Sequence, residues 1–344
     1  MQAFAEVSDP SDWFGSELVC DPSWIHHLTT ADIEELDAAL RGVNARCLRL
    51  ERVQREDFPL PTLGPKLALM LDELRSGRGF FVLRGFPLSR YSEDDAGRIY
   101  WGIGAHLGTA VNQNPAGDLL GHVRDLGKKW GELGVRGYET NGQLLFHTDF
   151  SDLVGLLCLS RAEIGGLSRI ASATTVHNEL ARRHPHHLAV LYRGFRYIKR
   201  EAAQSETPVT DYIPVFAQRD GVLSCRLVRE RVEAAAKRLQ EPLTHAETAA
   251  LDCLHEIAAS SRICLAMELR LGDMQFLNNY TIFHARTAYA DGARPDQKRH
   301  LLRLWLTMHG QRRAMATNFP QANGYGVPGT APPTGAVELG LVSP

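Results

Sequence analysis

The chain has 344 residues, more than a typical single domain, yet a large β domain decorated with helices can absorb all of it, so residues 1–344 are read as one unit. With 44% apolar residues, 23% charged residues and a formal charge of −2, the composition is ordinary for a globular protein and carries no basic footprint for nucleic acid. No apolar run approaches membrane-spanning length, and Cys20, Cys47, Cys158, Cys225, Cys253 and Cys264 form no CxxC pair, which argues against a zinc knuckle or a small disulfide framework.

Residues 1–76 are expected to form an N-terminal helical layer. Met1 to Trp13 lacks the basic start and long apolar run of a secretory leader, so a cytoplasmic protein with reduced thiols is expected. Thr29 to Gly42 reads as a helix capped by Thr30, with Ile33, Leu36, Ala39 and Leu40 on one stripe and Gly42 as its terminator. Pro65 to Ser76 reads as a second helix, with Pro65 in its first turn and Gly77 beyond its end. Gly79 to Arg84 is a short apolar run rich in Phe and predicts a buried strand. Ser92 to Leu107 returns to helix, with Ser92 and Asp95 as a capping pair and Gly108 at the exit.

From Leu144 the texture changes to strand-like segments: Leu144 to His147, Leu153 to Leu159, Ser168 to Ser172, Phe195 to Ile198, Tyr212 to Ala217 and Val222 to Leu227. Asp220 and Gly221 between the last two predict a hairpin turn. A helical insertion at about residues 228–263, broken near Pro242 and resumed behind a Thr244 cap, is expected to wall or cover a substrate cavity. Strands then resume at Asp273 to Leu277, Thr281 to His284 and His300 to Thr307, and residues 311–344, rich in Gly and Pro from Asn318 onward, predict an irregular tail. The fold class expected is mainly β with flanking helices, residues 77–310 forming a distorted double-stranded β-helix or jelly roll.

His147, Asp149 and His284 carry the chemistry. Two imidazoles and one carboxylate can take one face of a six-coordinate Fe(II) and leave three positions for a cosubstrate and dioxygen. A His-x-Asp triplet alone says little, and a single buried histidine is more often satisfied by a backbone carbonyl. Here His147 ends an apolar run and Asp149 lies two residues on, so both side chains can face one centre. Along Arg299, Leu301 and Arg303 the same alternation puts both guanidiniums on one face, and a buried guanidinium needs an anion, which it can grip as a bidentate fork.

In this order, FHTDFSD, GGLSRIASATTVHNEL, FLNNYTIFHARTAYAD and RHLLRLWL resemble the TauD/TfdA family of Fe(II)- and 2-oxoglutarate-dependent oxygenases, including its clavaminate synthase-like members. The resemblance covers about residues 77–310, beginning with GRGFFVLRGFPL. It implies that His147, Asp149 and His284 are the iron ligands, that Arg299 holds the distal carboxylate of 2-oxoglutarate, and that Ser168 stands where many members have a threonine touching that carboxylate. Arg303 matches the second arginine of the family's pair and is assigned to cosubstrate or to a substrate carboxylate or sulfonate. Asp149 is retained where related halogenases carry Gly or Ala, which argues against halogenation.

The resemblance further implies hydroxylation of a C–H bond in a small amino-acid-like or carboxylated metabolite, possible in natural-product biosynthesis, with desaturation or oxidative cyclisation as the alternative outcome. A small-molecule partner is expected, with no nucleic acid or membrane, and a homo-oligomer is left open. Tyr138, Asn141 and Arg303 are substrate candidates, drawn from a wider polar set of Asn112, Asn114, His122, His177, Arg200, Tyr212 and Arg286. A jelly roll that binds a metal or anion without turnover is the reading of another class.

Overall fold

The computed structural model of the protein describes residues 4–114, 116–129, 137–199 and 208–310. A short helix α1 (Gly15–Leu18) and strand β1 (Ile25–His27) lead into α2 (Thr30–Ala45). The N-cap of α2 is Thr29 rather than Thr30, in a reciprocal capping box with Asp32. Gly42 does not end α2 but lies inside it, because the buried Val43 that follows draws one more turn against the core. The helix α3 (Leu63–Ser76) carries Pro65 in its first turn and ends at Gly77, as expected.

Next come β2 (Phe80–Arg84), α4 (Glu93–Leu107) capped by Ser92, β3 (Gly108–Ala110) and β4 (Leu120–Val123). The strands β5 (Leu144–His147), β6 (Leu153–Ser160), β7 (Ile164–Gly165) and β8 (Ser168–Ser172) follow. After β8 the chain forms α5 (Ala173–Arg183) and α6 (Pro185–Arg193), two helices absent from the expected elements. The expected strand at Phe195 to Ile198 is reduced to isolated bridges with Ile213 and Val209. Its neighbours contract to the hairpin β9 (Phe216–Arg219) and β10 (Val222–Cys225), whose two turn residues Asp220 and Gly221 have φ of 52° and 80°.

The insertion is α7 (Arg229–Leu239) and α8 (His245–Ala259), the latter capped by Thr244 and Glu247. Five further strands complete the described chain: β11 (Leu265–Met267), β12 (Met274–Asn278), β13 (Ile282–Arg286), β14 (Tyr289–Ala290) and β15 (His300–Met308). The expected irregular tail lies outside the described residues.

Two sheets hold the site. The larger has the order β1-β2-β12-β6-β15-β3, with β4 also on β15, and the smaller has the order β11-β8-β13-β5. Alternation along each strand decides what each face does. On the larger sheet Phe81, Leu83, Leu157, Phe276, Leu302, Leu304 and Leu306 face outward into a core with α2, α3 and α4. Their neighbours Phe80, Val82, Val154, Leu277, Leu301 and Trp305 face inward and meet Ile170, Leu265 and Ile282 of the smaller sheet. The outer face of the smaller sheet, through Phe146, Ala171, Phe283 and Ala285, is covered by α5, α6 and α8. Thus α8 is a backing layer behind the site rather than a lid over its mouth. Two facing sheets with helices outside are the jelly-roll arrangement expected, and the inward positions β5, β8, β12, β13 and β15 have in common form the cavity.

Candidate metal centre and cosubstrate pocket

Strands β5 and β13 run antiparallel, and their register sets His147 directly opposite His284. The two imidazole centroids are 4.3 Å apart. Asp149, just past the end of β5, brings its Oδ2 to 3.7 Å from His284 Nε2, and one ligand atom from each of the three residues lies within 4.8 Å of the others. His147 Nδ1 sits 2.8 Å from the carbonyl of Leu145, which can only accept, so that nitrogen carries a proton and Nε2 is the ring atom the neutral tautomer offers to a metal.

The carboxylate is held by its surroundings. Trp305 Nε1 donates to Asp149 Oδ2 at 2.8 Å, and the Asp149 backbone N–H donates to Asn279 Oδ1 at 2.9 Å. Burial alone would push the Asp149 carboxyl up, but the adjacent His284 imidazole and the Arg303 cation hold it well below the usual carboxylate range. Burial, reinforced by His147, pushes the His284 imidazole down from its ordinary value. Metal binding needs an ionised carboxylate and proton-free imidazole nitrogens, and the downward shifts of Asp149 and His284 both favour that state. His284 Nδ1 is buried without a hydrogen-bond partner among the described residues. The two nitrogens and one oxygen, clustered within 4.8 Å, fit a divalent first-row metal.

Beside this cluster the cavity is cationic. Arg286, Arg299 and Arg303 are 5%, 6% and 8% exposed, and all three line it together with His147, Asp149, His284, Ser168, Gln275 and Tyr138. Arg299 Nη1 is buried with no partner among the described residues. Arg286 Nη2 donates to the carbonyls of Thr140 and Gly142, leaving Nε and Nη1 unpartnered. Both guanidiniums lie over the Tyr289 ring, at 4.7 Å for Arg286 and 5.3 Å for Arg299. Burial, with Arg299 adding repulsion, pushes Arg286 down to about 10. Ser168 Oγ donates to Gln275 Oε1 at 2.9 Å. Gly165 and Gly166 have φ of +78° and +74°, and a Cβ on Gly166 would stand 3.0 Å from Arg299 Cδ, so the glycine pair makes room for the guanidinium arm.

The family described as "Taurine catabolism dioxygenase TauD, TfdA family" matches residues 14–305. The chain belongs to the TauD/TfdA family. Over 335 residues, 95% of this chain and 97% of the relative, it is 31% identical to FR-33289 synthase of Streptomyces rubellomurinus. Among solved structures it resembles an asparagine oxygenase in complex with Fe(II), 3-hydroxyasparagine and succinate, with a TM-score of 0.65 and 18% identity over 83% of this chain and 93% of that one. It also resembles the non-heme iron oxygenase OrfP in complex with Fe, succinate and (3S)-hydroxy-L-Arg, at a TM-score of 0.59 and 17% identity over 82% and 94%. These likenesses carry the double-stranded β-helix fold. This TauD/TfdA member is an Fe(II)/2-oxoglutarate dioxygenase.

In this TauD/TfdA member the structure brings His147, Asp149, His284, Arg299, Arg303, Ser168, Tyr138 and Arg286 to one cavity. It does not bring Asn141, whose side chain is exposed and whose carbonyl accepts from the Tyr289 backbone N–H at 3.0 Å. His122 pairs with His300 at 2.8 Å on an outer edge, His177 is buried under the helices against Tyr192 at 2.9 Å, and Asn114 is tied to Asp118 at 2.6 Å. Tyr212 is 54% exposed, Asn112 is buried off the cavity lining, and Arg200 lies outside the described residues. Sequence reasoning missed Trp305, Asn279, Gln275, Gln113 and Tyr289. Trp305 was within reach, since it follows Arg303 by two on the same strand and must share its face.

Proposed function

We propose that the protein oxidises a C–H bond of a small, anionic, amino-acid-like or carboxylated metabolite, with His147, Asp149 and His284 as ligands of Fe(II). The observation that carries this reading is the direct cross-strand pairing of His147 with His284 beside Asp149 in a cavity lined by three buried guanidiniums. Bound Fe(II) supplies the activation of dioxygen that couples oxidation of 2-oxoglutarate, to succinate and carbon dioxide, to oxygen transfer onto the substrate.

The chain's own residues orient the reactants. Arg299, buried and lacking a partner at Nη1, is the fork for the distal carboxylate of 2-oxoglutarate, and Ser168 would serve it as a hydroxyl donor by turning from Gln275. Arg303, whose Nε donates to Gln113 Oε1 at 2.7 Å, whose Nη1 is 3.9 Å from Asp149 Oδ2 and whose guanidinium stacks on Tyr138 and Trp305 at 4.5 and 4.7 Å, is the candidate grip for the substrate anion. Three guanidiniums and the metal outweigh Asp149 and a dicarboxylate cosubstrate, so the cavity favours a substrate with a negative charge of its own. The amino-acid substrates named for the structural neighbours and the 31% identity to a natural-product synthase support a role in specialised metabolism. Hydroxylation is the outcome proposed, with desaturation or ring closure using the same oxidising equivalents. The six cysteines are free thiols, which supports cytoplasmic residence.

The test is oxygen consumption and succinate formation with Fe(II), 2-oxoglutarate and a panel of small carboxylates, amino acids and sulfonates, followed by mass analysis. A gain of one oxygen supports hydroxylation, and a loss of two hydrogens supports desaturation or cyclisation. Asp149→Ala should abolish succinate formation with the fold retained. Wild-type turnover in that variant would remove the ligand assignment.

A further inference from the structure

Away from the active site, three metal-ligating side chains meet between α6 and α8. His184, the residue before α6, and His187, inside its first turn, lie three positions apart and share a helix face. Cys253 comes from the middle of α8. One ligand atom from each lies within 4.8 Å of the other two. The His184 and His187 rings are near parallel, 29° apart with centroids at 6.0 Å, and the His186 ring stands 4.0 Å from that of His187. All three ligating residues are partly buried, and Cys253 is a free thiol.

A second cluster, Glu93, His122 and His300, differs in one respect: its two imidazoles already hydrogen-bond to each other at 2.8 Å. No such bond joins His184, His187 and Cys253 among the described residues. Two imidazoles and a thiolate form a borderline-soft donor set that suits Zn(II), whereas the active centre offers nitrogen and oxygen alone.

We propose that His184, His187 and Cys253 form a second, structural cation site that takes Zn(II) and clips α6 to α8, with water or His186 as the fourth ligand. Binding replaces the thiol proton of Cys253 by the metal, and that proton leaves to solvent. The clip acts on the layer behind the active site. Leu188 and Leu191 of α6 and Leu251 and Leu254 of α8 share one buried cluster with Phe146 and Phe283, the chain neighbours of His147 and His284. Fixing these two helices together fixes the backing of β5 and β13.

The experiment is a Co(II) titration of the metal-stripped full chain, read by the near-ultraviolet thiolate-to-cobalt charge-transfer band. Since the active centre has no sulfur ligand, that band reports the α6–α8 site alone. It should saturate at about one equivalent, survive in His147→Ala, and disappear in Cys253→Ser and in His184→Gln/His187→Gln. Zn(II) should displace Co(II), and each single substitution should weaken Zn(II) binding by more than the 10–100-fold typical of an outer-shell change. Circular dichroism of each variant separates lost binding from lost folding, and His187→Gln serves if Cys253→Ser does not fold. Absence of the band in the wild type, or its persistence in folded Cys253→Ser, would overturn the proposal.

Discussion

Trp305 and Asp149 are joined by an indole N–H donated to Oδ2 at 2.8 Å, so the carboxylate proposed to grip iron is aimed by a side chain from the opposite sheet. Trp305→Phe keeps a ring in the intersheet core and removes only the donor. Metal-binding calorimetry under anaerobic conditions should then give an affinity lower by about 10–100-fold, the usual effect of losing an outer-shell partner. Unchanged affinity would mean that Asp149 needs no such orientation.

Arg299→Lys tests the fork. A lysine keeps the charge but not the paired donors, and loss of one charge-assisted hydrogen bond costs about 1.5–3 kcal/mol. The KM for 2-oxoglutarate should rise by about 10–100-fold with kcat at saturation changed much less. Steady-state kinetics with varied cosubstrate decide it, and an unaltered KM would place the carboxylate elsewhere.

Gly166→Ala reaches the same pocket from the backbone. At φ +74° a Cβ is strained by about 1–2 kcal/mol, and here it would also press on Arg299 Cδ at 3.0 Å. The variant should lose that much stability in urea unfolding and bind 2-oxoglutarate more weakly. A stable variant with normal cosubstrate affinity would show that the arm has room to spare.

His255 on α8 gives a pH dependence. Both its ring nitrogens are buried without partners among the described residues. Burial first, then the Arg229 charge and the His147 imidazole, lower it from 6.5 to about 4, with Asp252 opposing. A histidine lowered on folding binds its proton more readily when unfolded, so its contribution is complete above the ordinary 6.5 and is lost as pH falls toward 4. That loss amounts to about 2 kcal/mol by pH 5. Urea unfolding of the metal-free protein at pH 7 and pH 5 should show a smaller acid loss in His255→Phe than in the wild type. Equal losses would mean that His255 is already charged in the folded state.

Much of the fold was legible where local and tertiary forces agree. β5 and β8 appear with the limits expected, and the Ser92 and Thr244 caps and the Asp220-Gly221 turn stand where local chemistry put them. Alternation allowed His147 and Asp149 to face one centre, whereas His284 joined them as a candidate ligand through the family resemblance, its place opposite His147 being set by the β5–β13 register. The helix α5 was not legible, since polar residues are buried on it beside Ala173, Val176 and Leu180: Thr175 donates to Asp12 and to the Trp13 carbonyl, and Asn178 donates to the Val7 carbonyl and Asp12. Partners more than 160 residues away in sequence make those buried polar groups acceptable, and the thin apolar stripe between them is too sparse to announce the helix. Asn279 was missed for a related reason, as its bonds to Asp149 and to the Ser151 carbonyl link loops that only the fold brings together.

Leu301, Arg303 and Trp305 ride on one strand, β15, which is hydrogen-bonded to β6 along one edge and to β4 and β3 along the other. Such a strand works as a ruler with graduations about 6.6 Å apart, two residues at a time. Anion grip and ligand aim are therefore machined into a single inextensible part, and neither spacing can drift without dragging its neighbour. Adaptation to a new substrate is left to the segments around Tyr138 and Thr140, which border the cavity without belonging to the ruler.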